Sequence, residues 1–320
     1  MIRSTLFATD LNQSPPKLST TSWTLLILFL PLAVKISWEV DFMTVGIIGL
    51  GLIGGSMAKT IKRYDKYKVL GFDKNYEVTH KALDQGTIDD ELSDDNLNNC
   101  DIVLIALYPQ ATVEYIKRNC GCFKENALVM DLCGVKQSIV SPVENLALEH
   151  GFAFIGAHPM AGMENSGYDF SSPCLFDKAP VILTPYEWTN ANDIKKAHEF
   201  YKSIGFGQIN VSTAKEHDRI IAFTSQLAHV VSNAYVKSPA AGSHHGFSAG
   251  SYNDLTRVAK LNEDMWTQLF LNNASALSDE IDALCVRLQE YSFAIKDNDD
   301  VKLKQLLKEG REIKEQADNV

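Results

Sequence analysis

The run Gly49-Leu50-Gly51-Leu52-Ile53-Gly54 narrows the choice of fold more than any other part of this 320-residue chain. It fits the pattern GxGxxG, closes an apolar stretch over 45–49 and opens a stretch of helical spacing that reaches about Arg63. Glycines at that spacing suit a strand that turns tightly into a helix. Gly49 permits the turn, Gly51 lets a pyrophosphate approach the backbone, and Gly54 lets the helix pack against the strand, with the positive helix end facing the phosphates. The motif alone is a weak signal. Asp73, at the end of the next apolar run, strengthens it, because a carboxylate there accepts both hydroxyls of an adenosine ribose and repels a 2′-phosphate. The candidate cofactor-binding residues are therefore Gly49, Gly51, Leu52, Ile53, Gly54 and Asp73, and the cofactor they favour is NAD.

Further apolar runs over 68–73, 102–107, 127–131, 153–157 and 179–184 read as strands. Helical stretches near 76–85, 111–118, 138–150 and 191–204 separate or follow them. This alternation predicts an α/β fold with a doubly wound parallel sheet. After about Ser212 the pattern changes to helical spacing over 215–237, 264–288 and 299–317, so residues 43–213 form the expected dinucleotide-binding domain and 214–320 an all-helical one. Residues 238–250, rich in Gly and Ser, read as a loop able to act as a lid.

Residues 1–42 do not match the rest. Arg3, Lys17 and Lys35 balance Asp10, Glu39 and Asp41, so the whole net charge of −10 lies on residues 43–320. The apolar run 23–34 spans only ~18 Å as a helix, too short for a ~30 Å hydrocarbon core, and no clear cleavage site follows it. Met43 directly precedes the first strand and looks like the natural start, which makes 1–42 an expected extension outside the fold. The acidic balance argues against nucleic-acid binding, which needs a basic face. The six cysteines form no CxxC pair, which points to reduced thiols and a cytoplasmic protein with no membrane partner. His244-His245 has no matching Cys or Asp cluster, so no metal is expected.

The candidate chemistry begins at His158, which follows the fifth predicted strand in Gly156-Ala157-His158-Pro159-Met160-Ala161-Gly162-Met163-Glu164. Ligands of open α/β sheets bind beyond the carboxyl ends of the strands, and an imidazole there can accept a hydroxyl proton as hydride leaves the same carbon. Ser225 and His229, four residues apart, share one face of the first helix of the second domain. His217 reads either as a packing histidine or as a neighbour of that cleft. Arg257, in Gly250-Ser251-Tyr252-Asn253-Asp254-Leu255-Thr256-Arg257, is the expected anchor for a substrate carboxylate, with Lys136 a weaker second cation. Glu164 is a candidate to orient these cations.

These segments, in this order and spacing, resemble the prephenate/arogenate dehydrogenase family over nearly all of 43–320. The resemblance implies a Rossmann-type domain followed by a helical dimerisation domain, and a homodimer. It implies NAD-dependent oxidation of prephenate with loss of carbon dioxide, giving 4-hydroxyphenylpyruvate for tyrosine biosynthesis. Arogenate is the alternative substrate, and a non-catalytic NAD-binding regulator the alternative class. By the same resemblance His158 is the catalytic histidine on the ring hydroxyl, Arg257 binds a carboxylate, and Ser225, His229 and Glu164 are further active-site positions. The chain departs from the family pattern at Gly134, where many relatives carry serine, at Ala228, where proline is common, and in the turn Leu107-Tyr108-Pro109.

Overall fold

The computed structural model describes residues 43–163 and 165–319. The expectation for residues 1–42 therefore lies outside the described residues. Eight strands form one sheet: β1 (Thr44–Ile48), β2 (Lys68–Phe72), β3 (Asp90–Glu91), β4 (Ile102–Ile105), β5 (Leu128–Asp131), β6 (Ala153–Pro159), β7 (Pro180–Pro185) and β8 (Gln208–Val211). Their spatial order is β3-β2-β1-β4-β5-β6-β7-β8. The first six run parallel, as the alternation predicts. β7 lies antiparallel to β6, with His158 opposite Ile182, and β8 runs parallel to β7. The physical reason is the connection 160–179, which holds no crossover α-helix. A parallel neighbour needs such a crossover, and without one the chain turns back where β6 ends. The returning segment packs on the first helix instead, where Ser172 N–H donates to Ser56 Oγ at 3.0 Å.

Strand side chains alternate between two apolar layers. Ile102, Leu104, Leu128, Met130 and Ile155 face α1 (Leu52–Tyr64), α2 (Tyr76–Asp84) and α5 (Ala191–Ser203). Val103, Ile105, Val129 and Phe154 face α3 (Pro109–Asn119) and α4 (Gln137–His150). Near-continuous apolar strands are what a sheet covered on both faces requires. The two strands that sequence reading missed carry little of this signal. β3 is two acidic residues long, and β8 (Gln-Ile-Asn-Val) is a mostly exposed edge strand.

Beyond β8 every described element is helical. The expected helix over 215–237 is α6 (Ala214–Ile221) and α7 (Ala228–Tyr235), joined by a π-helical turn at Ala222–Leu227. The expected helix over 264–288 is corrected to two: α9 (Glu263–Leu271) and α10 (Ala274–Lys296). Asn273, buried between them, turns its side chain onto neighbouring helices and breaks the run. Residues 238–250 hold a short 3-10 turn at Pro239–Ser243, after which α8 (Gly250–Thr256) begins, and α11 (Asp300–Asp318) ends the described chain.

At the carboxyl end of the sheet, Lys136 and Asp131 form an ion pair with both side chains fully buried. Lys136 Nζ also donates to the carbonyl of Ala157 at 2.7 Å, the residue before His158. This overturns the reading of Lys136 as a second substrate cation, because its charge is already spent inside the protein. Removing one partner of such a pair leaves a lone buried charge. Lys136→Met is expected to lower the unfolding free energy by about 3–5 kcal/mol in urea titration; a loss below about 1 kcal/mol would mean that the pair is not the structural tie described.

Candidate active site

The glycine turn is built as the cofactor requires. Gly49 has φ +87°, and a Cβ there would stand 2.6 Å from the carbonyl oxygen of Ala106. A Cβ on Gly54 would collide with the Gly49 carbonyl, whereas one on Gly51 would meet nothing within 4 Å. The helix end is thus closed to side chains on the protein side and open on the other. Among the described residues no carbonyl accepts the N–H groups of Leu52, Ile53 or Gly54, and the first turn of α1 has no acidic residue. Free N–H groups at a positive helix end suit a pyrophosphate. Asp73 stands beside them, one carboxylate oxygen accepting from Leu50 N–H at 2.9 Å and the other from Asn75 N–H at 2.9 Å. The residues present therefore fit NAD: Gly51 and the amides of Leu52, Ile53 and Gly54 for the phosphates, Asp73 for the ribose.

The candidate proton-handling groups form a chain at the carboxyl end of β6, at the same end of the sheet as this turn. His158 Nδ1 lies 2.9 Å from His217 Nε2, and His217 Nδ1 lies 2.7 Å from Asp218 Oδ1. The Asp218 carboxylate also accepts the backbone N–H groups of Lys136 and Gln137, each at 2.8 Å, which caps α4. A carboxylate can only accept, so His217 carries its proton on Nδ1 and offers the Nε2 lone pair to His158. His158 then donates from Nδ1, and its Nε2 is left with a bare lone pair. His217 was open between two roles in the sequence; the structure joins it directly to His158 and buries it.

Burial pushes the His158 imidazole well below its ordinary value near 6.5, with the neighbouring His217 and Lys136 acting in the same direction. Burial also lowers His217, against the opposing pull of its hydrogen bond to Asp218. Both rings are thus held neutral at neutral pH. His158 Nε2 faces the space where Gly134 has no side chain. A Cβ built on Gly134 would lie 3.7 Å from that nitrogen and 3.7 Å from Leu269 Cδ2, ordinary contact distances. The hydroxyl expected of relatives at this position is absent, and the slot before Nε2 is correspondingly wider.

The helical residues approach from the other side. His229 packs against Trp266 of α9, ring centroids 4.1 Å apart and planes tilted by 31°, and its Nδ1 donates to the Ser225 carbonyl at 2.9 Å. Trp266 and Leu269 are three residues apart on α9, so the helix face that meets His229 also brings Leu269 to Gly134, where a built Cβ would lie 3.7 Å from its Cδ2. Neither Trp266 nor its helix carried a chemical motif in the sequence; an aromatic at helical spacing reads as core. The Ser225 hydroxyl has no partner among the described residues. Arg257 is exposed at the carboxyl end of α8 and forms no ion pair among the described residues. Its segment is tied to the helix of His229, where Asn233 Nδ2 donates to the Ala259 carbonyl at 3.1 Å. Among the described residues no hydrogen bond or ion pair joins Arg257 to His158. Glu164 lies outside the described residues.

Residues 57–210 match the family model "Prephenate dehydrogenase, nucleotide-binding domain", and residues 213–309 match "Prephenate dehydrogenase, dimerization domain". The chain is 31% identical over 283 residues to a cyclohexadienyl dehydrogenase of Zymomonas mobilis, covering 85% of this chain and 95% of that one. Among solved structures, prephenate dehydrogenase from Aquifex aeolicus in complex with hydroxyphenyl propionate and NAD+ superposes with TM-score 0.75 at 28% identity, covering 87% and 99% of the two chains. Arogenate dehydrogenase from Synechocystis, at 24% identity, shares the fold with TM-score 0.74 over 86% of this chain and 100% of that one.

The lowered histidines carry a stability signature. A folded-state value below 6.5 means that the unfolded chain binds more protons just below that pH. Stability from these rings is complete above about pH 6.5 and is lost as pH falls from there toward the lowered folded values. Unfolding free energies measured between pH 5 and pH 7.5 are expected to fall on the acid side, and to fall less in His158→Asn. Equal slopes in the two proteins would contradict the burial assigned to this ring.

Proposed function

The chain belongs to the prephenate dehydrogenase family, and we propose on that footing that it oxidises prephenate with NAD to 4-hydroxyphenylpyruvate and carbon dioxide. The observation that carries this reading is the bare Nε2 of His158, backed by His217 and Asp218, at the same end of the parallel sheet as a turn that fits NAD. Bound NAD supplies the hydride acceptor. His158 Nε2 accepts the ring hydroxyl proton as the carbinol carbon is oxidised. The imidazolium so formed donates from Nδ1 to His217, whose own Nδ1–H is held by the Asp218 carboxylate. The charge is thus met by a fixed carboxylate at one remove, with no reorganisation needed at the moment of transfer. Loss of the carboxylate makes the ring aromatic, so the protein has mainly to position groups and move one proton.

Arg257, without an ion-pair partner among the described residues, is the proposed anchor for a substrate carboxylate, since guanidinium binds carboxylate bidentately. Ser225 and His229 are proposed to contact the substrate from the helical side, His229 in an orientation fixed by Trp266. Glu164 remains a proposed active-site position on the resemblance alone. A homodimer is proposed as the working form. Among the described residues the helical cluster buries Ala222, Leu227 and Leu277, while α10 exposes Val286, Leu288, Phe293 and Ile295, apolar area that a second copy would cover.

The reading is tested by following NADH formation with prephenate and, in parallel, arogenate, in the wild type and in His158→Asn. The expected result is faster turnover of prephenate by the wild type. In the variant kcat falls by about 10²–10⁴-fold, with NAD binding retained. Near wild-type turnover in His158→Asn would remove the proposed base, and turnover of arogenate alone would move the substrate assignment.

A further inference from the structure

The π turn at Ala222–Leu227 lies between His217 and His229. Twelve residues of regular α-helix would place these two rings about 120° apart around the axis. A π turn closes its hydrogen bond over one more residue, absorbing about one α-helical step and reducing the separation to about 20°. The turn therefore brings to one face two histidines that an unbroken helix would part. His217 meets His158, and His229 meets Trp266.

Something must hold that turn, because the π form is uncommon. Gln226, inside it, is 2% exposed and every hydrogen-bonding group of its amide that lies in the interior has a structural use. Its Nε2 donates to the Leu269 carbonyl at 3.1 Å, near the end of α9. Its Oε1 accepts from Asn273 Nδ2 at 2.7 Å, and the same Asn273 group reaches the Asp218 carbonyl at 2.8 Å. One amide pair thus links the π turn, the helix carrying Trp266 and Leu269, and the residue whose carboxylate holds His217.

We infer that Gln226, clasped to Asn273, is a positioning residue for the reaction: it locks the π turn that brings His217 and His229 to one face and seats α9 against His229. The inference rests on the role proposed for the His158–His217 pair, but it has a readout that does not need activity. The groups replaced are polar and buried, so an apolar side chain of similar size at 226 leaves the Leu269 carbonyl without its partner and lets the turn relax toward a regular helix.

The test compares Gln226→Leu, Asn273→Leu and Gln226→Glu with the full-length wild type. Thermal unfolding and NAD binding establish that each variant folds. Histidine ring resonances are then recorded in protein labelled with nitrogen-15. Both Leu variants are expected to shift the His217 and His229 rings together. They are also expected to lower kcat/KM for prephenate by about 10²-fold, as for a small misplacement of reacting groups, and to move the acid limb of the pH profile. Gln226→Glu, kept neutral by its burial, can still donate to the Leu269 carbonyl and is expected to recover most of the loss. Unmoved ring resonances in folded Leu variants would overturn the inference whatever the activity. So would a lower melting temperature with KM and pH profile unchanged. An inactive wild type would instead overturn the proposed reaction, while the resonances still decide the clasp.

Discussion

The Asp218 carboxylate is the interaction on which the rest of the site depends. It caps α4 through two backbone amides from the sheet side and holds His217 from the helical side. A buried carboxylate is costly unless its lone pairs are met, and this one is met by three donors. Because the donors come from separate parts of the chain, the same bonds that stabilise the charge also set the helical residues against the strand ends. The direction of every proton in the His217–His158 chain follows from the fact that Asp218 only accepts. The proposed base, His158, is thus presented without a charged residue at that position.

A second tie works from below. The Lys136 ammonium binds Asp131 at the end of β5 and the Ala157 carbonyl in β6, while its own backbone N–H goes to Asp218. His158 follows Ala157 and is thus held from two directions, by its strand and by His217. The cofactor turn is tied separately, through Asp73 to Leu50. Rigidity on the sheet side contrasts with the substrate side, where Arg257 and the Ser225 hydroxyl have no protein partner among the described residues. This division suits a reaction in which the protein positions a base and a cofactor, and the substrate supplies the remaining contacts.

Much of this arrangement could be read in the sequence, for identifiable reasons. Parallel strands buried on both faces leave continuous apolar runs, and the glycine turn leaves a fixed spacing, so the sheet and the cofactor end were legible. The reversal of β7 was not, because direction depends on what the connection 160–179 does and not on the composition of the strand. The partnership of His158 and His217 was hidden by their separation in the chain. The co-facing of His217 and His229 was hidden by the π turn, which periodicity arguments treat as ordinary helix. Lys136 misled because lysine usually signals a surface cation, and here the matching Asp131 lies on a different element.

The central claim is that His158 is a neutral imidazole protonated on Nδ1, with Nε2 bare and facing the Gly134 slot. The most direct measurement is nitrogen-15 NMR of the His158 ring in the unliganded wild type at neutral pH, assigned by comparison with His158→Asn. The account predicts a pyrrole-type signal for Nδ1 and a pyridine-type signal for Nε2. The reverse tautomer, or a ring doubly protonated at that pH, would contradict it.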